Sequence, residues 1–108
     1  MELEQAAKQL EALGNPTRLA IFRDLVQTGG EGSPVGEIRE GLEIPASTLS
    51  HHISKLIQAG LITQERQSRT LVCSVDHENM DDLMECLGMN CGTDDWASSS
   101  KEEPNRGG

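Results

Sequence analysis

Two short amphipathic segments, separated by a tight turn and followed at once by a β-prone hairpin, confine this chain to a narrow set of folds. The first segment turns Val35, Ile38 and Leu42 inward, and residues 41–45, ending in Pro45, make the turn. The second begins at Ala46 and repeats Leu49, Ile53, Leu56 and Ile57 at i, i+4, i+7 and i+8, one apolar face of a helix that Gly60 ends. Residues 61–66 and 70–75 then read as strands joined by the polar tip Gln67-Ser68-Arg69. Helix, turn, helix and hairpin in that order predict a winged helix-turn-helix: a mainly α fold of about five helices plus a two-stranded wing. In that fold the second helix of the pair enters the major groove of DNA.

The remaining segments supply the other helices. Leu3, Ala6, Leu10 and Leu13 recur at helical spacing, and Gly14 stands where a left-handed cap is expected. Asn15-Pro16 restarts a helix, Asn as N-cap and Pro at the first helical position, and Leu19, Ile21, Phe22, Leu25 and Val26 give it an apolar face wide enough to lie centrally. After the glycine-rich residues 29–32, Ser33-Pro34 repeats the cap-then-proline signature. A last helix over residues 76–87 carries the stripe Met80, Leu83, Met84 and Leu87. With one Trp, one Phe and no Tyr, the core must be aliphatic, a palette suited to packed helices. Residues 1–92 form the expected domain, and residues 93–108, polar apart from Trp96, are expected to be a disordered tail.

Composition excludes several functions. No stretch approaches the ~20 apolar residues of a membrane span, and the start MELEQAAKQL lacks the basic-then-apolar pattern of a secretory signal. Cys73, Cys86 and Cys91 cannot all pair within one chain, so a reduced, cytoplasmic setting is expected. There is no Cys-x-x-Cys motif and no nucleophile–base pair, so an enzyme is not expected.

The net charge of −9 opposes DNA binding if taken over the whole chain, because phosphate affinity comes from Lys and Arg. Across residues 47–70, however, Lys55, Arg66 and Arg69 face only Glu65, a local net charge of +2. The outward face of the helix from Ala46 offers Ser47, Thr48, Ser50, His51, His52 and Lys55, hydroxyl, imidazole and ammonium donors without an acid among them. Arg66 and Arg69 sit at the hairpin tip, where a wing reaches an adjacent groove or backbone. His51 and His52, as sequence neighbours, point about 100° apart on a helix, which suits DNA contacts better than a shared metal. A solvated helix face and a protein-interaction module without DNA binding are the alternatives to the DNA reading.

The stretches LGNPTRLAIFRDL and IPASTLSHHISKLIQAGLITQERQSRTLVCSV resemble the ArsR/SmtB family of bacterial metalloregulatory repressors, over residues 3–91. The resemblance implies a homodimer built on the first and last helices, with Leu3, Leu10, Leu13, Met80, Leu83, Met84 and Leu87 as dimer surface. It implies that two recognition helices read a two-fold-symmetric double-stranded operator one DNA turn apart. It also implies an effector that releases the DNA by favouring another dimer geometry.

Two familiar sensor sites of that family lack their ligands here. EIREGL, before the recognition helix, holds no cysteine, and Asp76, His77 and Glu78 are followed by no second histidine for zinc. Soft thiolates remain at Cys73, Cys86 and Cys91, which suit trivalent arsenic or antimony as effector, and the placement of Cys73 and Cys91 is similar to that in arsenical-responsive members. A redox or persulfide switch on the same thiols is the alternative, and Cys73 and Cys86 could equally be small core residues.

Overall fold

The computed structural model describes residues 1–88, and two of its helices start at a side-chain cap that the sequence offers. Asn15 accepts backbone N–H bonds from Thr17 at 2.9 Å and Arg18 at 3.1 Å, with Pro16 in the first turn. Asp76 caps the last helix through Asn79 N–H at 3.0 Å. In chain order the elements are α1 (Leu3–Leu13), α2 (Pro16–Gln27), β1 (Ser33–Pro34), α3 (Val35–Leu42), α4 (Ala46–Gln58), β2 (Ile62–Gln67), β3 (Thr70–Val75) and α5 (His77–Cys86). Trp96, Cys91 and the expected polar tail lie outside the described residues.

The wing is wider than the expected hairpin: the sheet has three antiparallel strands in the order β1-β3-β2. Ser33-Pro34 does not open α3 as a cap-then-proline pair but forms the edge strand, Ser33 opposite Cys73 and Pro34 opposite Val72. An edge is where a strand tolerates proline, which has no N–H to give a second neighbour. Gly32 makes this pairing possible. Its φ is +77°, and a Cβ there would run into the Cys73 carbonyl and the Ser74 hydroxyl.

One aliphatic core holds these layers together. Ile21, Phe22 and Leu25 of α2, Ile38 of α3, Leu49, Ile53 and Leu56 of α4, Leu61, and Ile62, Cys73 and Val75 of the sheet are buried in a single cluster. Burying each large aliphatic side chain contributes roughly 1.5–3 kcal/mol, so Leu49 and Leu56 alone anchor α4 firmly against the body.

Several expected positions differ. Gly14 has φ −78°, so α1 ends without a left-handed residue; the tight step to the Asn15 cap leaves no room for one. Leu19 is exposed, because the inward arc of α2 is already filled by Ile21, Phe22 and Leu25. On α1 the buried stripe is Ala6, Gln9 and Ala12, with Leu13 packed at its edge, while Leu3, at 80% exposure, and Leu10 point to solvent. Leu83 belongs to the core rather than to a dimer surface, since α5 uses it to pack on the domain.

Candidate nucleic-acid interface

The turn before α4 fixes how that helix leaves the body. Glu43 adopts the left-handed conformation, φ 55°, and its N–H bonds the Arg39 carbonyl at 2.9 Å. Arg39 Nε donates to the Ile44 carbonyl at 3.3 Å, and Pro45, extended, directs the chain into α4. With Leu49, Ile53 and Leu56 buried, helical geometry turns Ser47, Thr48, Ser50, His51, Ser54 and Lys55 outward, and all six are exposed. Among the described residues no side chain caps the N-terminus of α4, so its first N–H groups point outward beside these hydroxyls.

His52 has a different environment from its neighbour. Its Nδ1 lies 3.2 Å from Arg18 Nη1, and Arg18 Nε donates to the Ala12 carbonyl, tying α1, α2 and α4 together. Partial burial, then the Arg18 charge and the His51 ring, hold the His52 imidazole below its ordinary value, so Nδ1 serves as an acceptor. His52 therefore faces the α2 side of the recognition helix, whereas His51 is exposed.

Beyond α4 the wing leaves the core. Residues 63–70 are all exposed, and the reversal is made by Ser68, φ 60°, and Arg69. Arg66 pairs across the strand with Leu71, so both arginines sit at the tip. Ser47, Thr48, Ser50, His51, Lys55, Arg66 and Arg69 are thus the expected contact residues that the fold leaves open.

The C-terminal end of α4 is held by a polar clasp. Gln9, fully buried, donates to the Ala59 carbonyl at 3.0 Å, Gln5 donates to the same oxygen at 3.3 Å, and Asn79 donates to the Gly60 carbonyl at 2.8 Å. These amides bring the two outer helices, α1 and α5, onto the end of the recognition helix. Among the described residues, Gln9 Oε1 is a buried polar atom with no partner.

The thiols divide. Cys73 is 0% exposed, in the central strand between Ser33 and Gln64, and burial pushes its thiol above the usual range despite a weak hydrogen bond from Gln64 Nε2. A metalloid or metal takes the thiolate, so this environment disfavours Cys73 as a ligand: its inward strand position makes it a core residue. Cys86 is half-buried at the end of α5, two residues before the left-handed Gly88, φ +77°. Cys91 is outside the described residues, within which no group of three or more His, Cys, Asp or Glu side chains is placed to hold a metal. His77 instead lies with Nε2 3.3 Å from the Gly29 carbonyl.

Arg18, Gln5, Gln9 and Asn79 were not legible as site residues. Only Arg18 carries a signal: a cation in the first turn of a helix opposes the macrodipole and so implies acceptors elsewhere.

Comparison with known proteins fits this architecture. A family model described as a helix-turn-helix domain matches residues 13–65. The HTH-type transcriptional regulator YgaV of Escherichia coli (strain K12) is 31% identical over 84 residues, which cover 78% of this chain and 83% of that protein. The crystal structure of an ArsR family transcriptional regulator superposes with a TM-score of 0.70 at 22% identity, covering 98% of this chain and 97% of the other. The homodimeric winged helix-turn-helix DNA-binding domain (fragment 1-100) Mb0332 from Mycobacterium bovis, a possible ArsR-family regulator, gives 0.66 at 21% identity over 96% and 87%. On its helix-turn-helix, its wing and its kinship with these regulators, the chain belongs to the ArsR/SmtB family of winged helix-turn-helix transcriptional regulators.

Proposed function

We propose that this protein is a homodimeric, cytoplasmic repressor that binds a two-fold-symmetric operator through α4 and the wing, and leaves it when a thiol-reactive effector engages α5. The carrying observation is α4 itself: a helix anchored by Leu49, Ile53 and Leu56 presents an acid-free row of hydroxyl, imidazole and ammonium donors beside an arginine-tipped wing. The exposed Leu3, Leu10, Met84 and Leu87 on α1 and α5 are apolar surface available to a second copy, and the Mycobacterium bovis neighbour is homodimeric.

For the effector, the burial of Cys73 narrows the expected thiol set to Cys86 and Cys91. Two soft sulfurs suit trivalent arsenic or antimony. A pair five residues apart serves a disulfide switch as well, so the redox reading stands as the second one.

One titration tests both parts. Anisotropy of a labelled operator should show two protomers per symmetric duplex and release on adding As(III). Cys73→Ser should keep that release, whereas Cys86→Ser and Cys91→Ser should each lose it while still binding DNA. Release by peroxide but not by As(III), lost in the same two variants, would establish the redox reading. Release by either agent that survives both serine variants would remove the thiols from the mechanism.

A further inference from the structure

We propose that the groove between α1, α2 and α4, lined by Lys8, Arg18 and Lys55, is a second phosphate-binding track that holds one DNA backbone strand beside the recognition helix. The proposal rests on the DNA-binding reading of α4 and extends its footprint to residues of α1 and α2 that neither the helix-turn-helix nor the wing includes.

The groove encloses about 250 Å³ and is lined by Lys8, Glu11 and Ala12, Arg18, and Lys55 with its neighbours Gln58 and Ala59. The described residues contain seven lysines and arginines in all, Lys8, Arg18, Arg23, Arg39, Lys55, Arg66 and Arg69, and three of them meet here. In a chain of net charge −9 this is a local concentration of positive charge, opposed in the groove by Glu11, while on its far side Lys8 borders Glu2 and Glu4. Converging cations repel one another, and an anion between them relieves that repulsion.

Placement identifies the anion. Thr48, His52, Lys55 and Ala59 follow one another at i, i+4, i+7 and i+11, so they form a single edge of α4. Arg18 meets that edge at His52, and the groove continues along it past Lys55 and Ala59. A helix about 10–12 Å across fills a major groove about 12 Å wide, so each edge of the helix runs beside a sugar-phosphate strand. The cationic groove lies along one of those edges. Arg18 is preset for such a contact: its bonds to the Ala12 carbonyl and to His52 fix the guanidinium and leave its other N–H donors available. Lys8 is exposed and bonds no part of the fold described here, so its charge can be removed without loosening the domain.

The test is the salt dependence of operator affinity, by anisotropy between 50 and 200 mM KCl, for the full chain and for Lys8→Gln, Glu11→Gln and Arg23→Gln. Each lost phosphate contact lowers the slope of log K against log[salt] by about 0.9, so Lys8→Gln, present twice in a dimer, should lower it by about 1.8. Across that fourfold salt range the wild type should then lose about tenfold more affinity than the variant. Glu11→Gln should tighten binding. Arg23→Gln removes one charge from the other face of α2 and should leave the slope near that of the wild type. A Lys8→Gln slope equal to that of Arg23→Gln overturns the proposal. So does loss of inorganic phosphate binding in Lys8→Gln with an unchanged operator slope, which would assign the groove to a small free anion. A wild type that binds no operator at any salt overturns the DNA-binding reading itself, a result distinct from both.

Discussion

At the scale of single residues, the two adjacent histidines show how the fold divides labour between neighbours. His51 is exposed on the outer face of α4, whereas His52 is held by Arg18 and kept below its ordinary value of 6.5. A lowered histidine value means that, near and below 6.5, the unfolded chain binds more protons than the folded one. The neutral His52 therefore costs nothing above that value, and stability falls as pH drops through it towards the folded value. Urea unfolding of wild type and His52→Gln between pH 8 and pH 5 checks this. The wild-type midpoint should decline more steeply below pH 6.5 than that of the variant, and parallel declines would mean that His52 is not held neutral by its surroundings.

At the scale of elements, the proposed function gives α4 and the wing separable tasks. Base edges are read by short polar side chains in the major groove, whereas arginines at a hairpin tip contact phosphates or a minor groove and contribute affinity with little sequence information. Replacing Arg66 and Arg69 together by Gln should weaken binding to operator and to scrambled duplex alike. It should also reduce the salt slope by about one unit per lost phosphate contact. An unaltered slope would mean that the wing stands clear of DNA. These two elements were readable because each rests on a local period: 3.6 for Leu49, Ile53 and Leu56, and 2 for the strands either side of Gln67-Ser68-Arg69. What escaped the sequence depends on non-local pairing. Ser33-Pro34 carries a helix-start signature, and only its position opposite Cys73 and Val72 makes it a strand. Strand alternation set Cys73 on one face with Leu71 and Val75, but which face meets the core is decided by α2 and α3, which pack on β3. The amides of Gln9 and Asn79 acquire their meaning only from the Ala59 and Gly60 carbonyls, far away in the chain.

At the scale of the whole molecule, an acidic protein binds a polyanion because its charge is segregated. Asp76, Glu78, Asp81, Asp82 and Glu85 are concentrated in and just before α5, and Glu2, Glu4 and Glu11 in and around α1, whereas Lys55 of α4 stands beside Lys8 and Arg18, and Arg66 and Arg69 occupy the wing tip. Such a distribution orients the approach, since only one side of the domain is attracted to phosphate. The same outer helices carry the exposed Leu3, Leu10, Met84 and Leu87, and through Gln9 and Asn79 they grip the end of α4. A change in how two copies pack through α1 and α5 would thus reach the recognition helix by direct hydrogen bonds. The central claim is that the outward face of α4 reads DNA sequence, and it is tested by the affinity ratio between an operator selected from random duplexes and its scrambled counterpart. Ser50→Ala and His51→Ala should each reduce that ratio by about 5- to 150-fold, equivalent to roughly 1–3 kcal/mol for a lost base contact, with the salt slope unchanged. A ratio equal to that of the wild type in both variants would contradict the account and take α4 out of the recognition role.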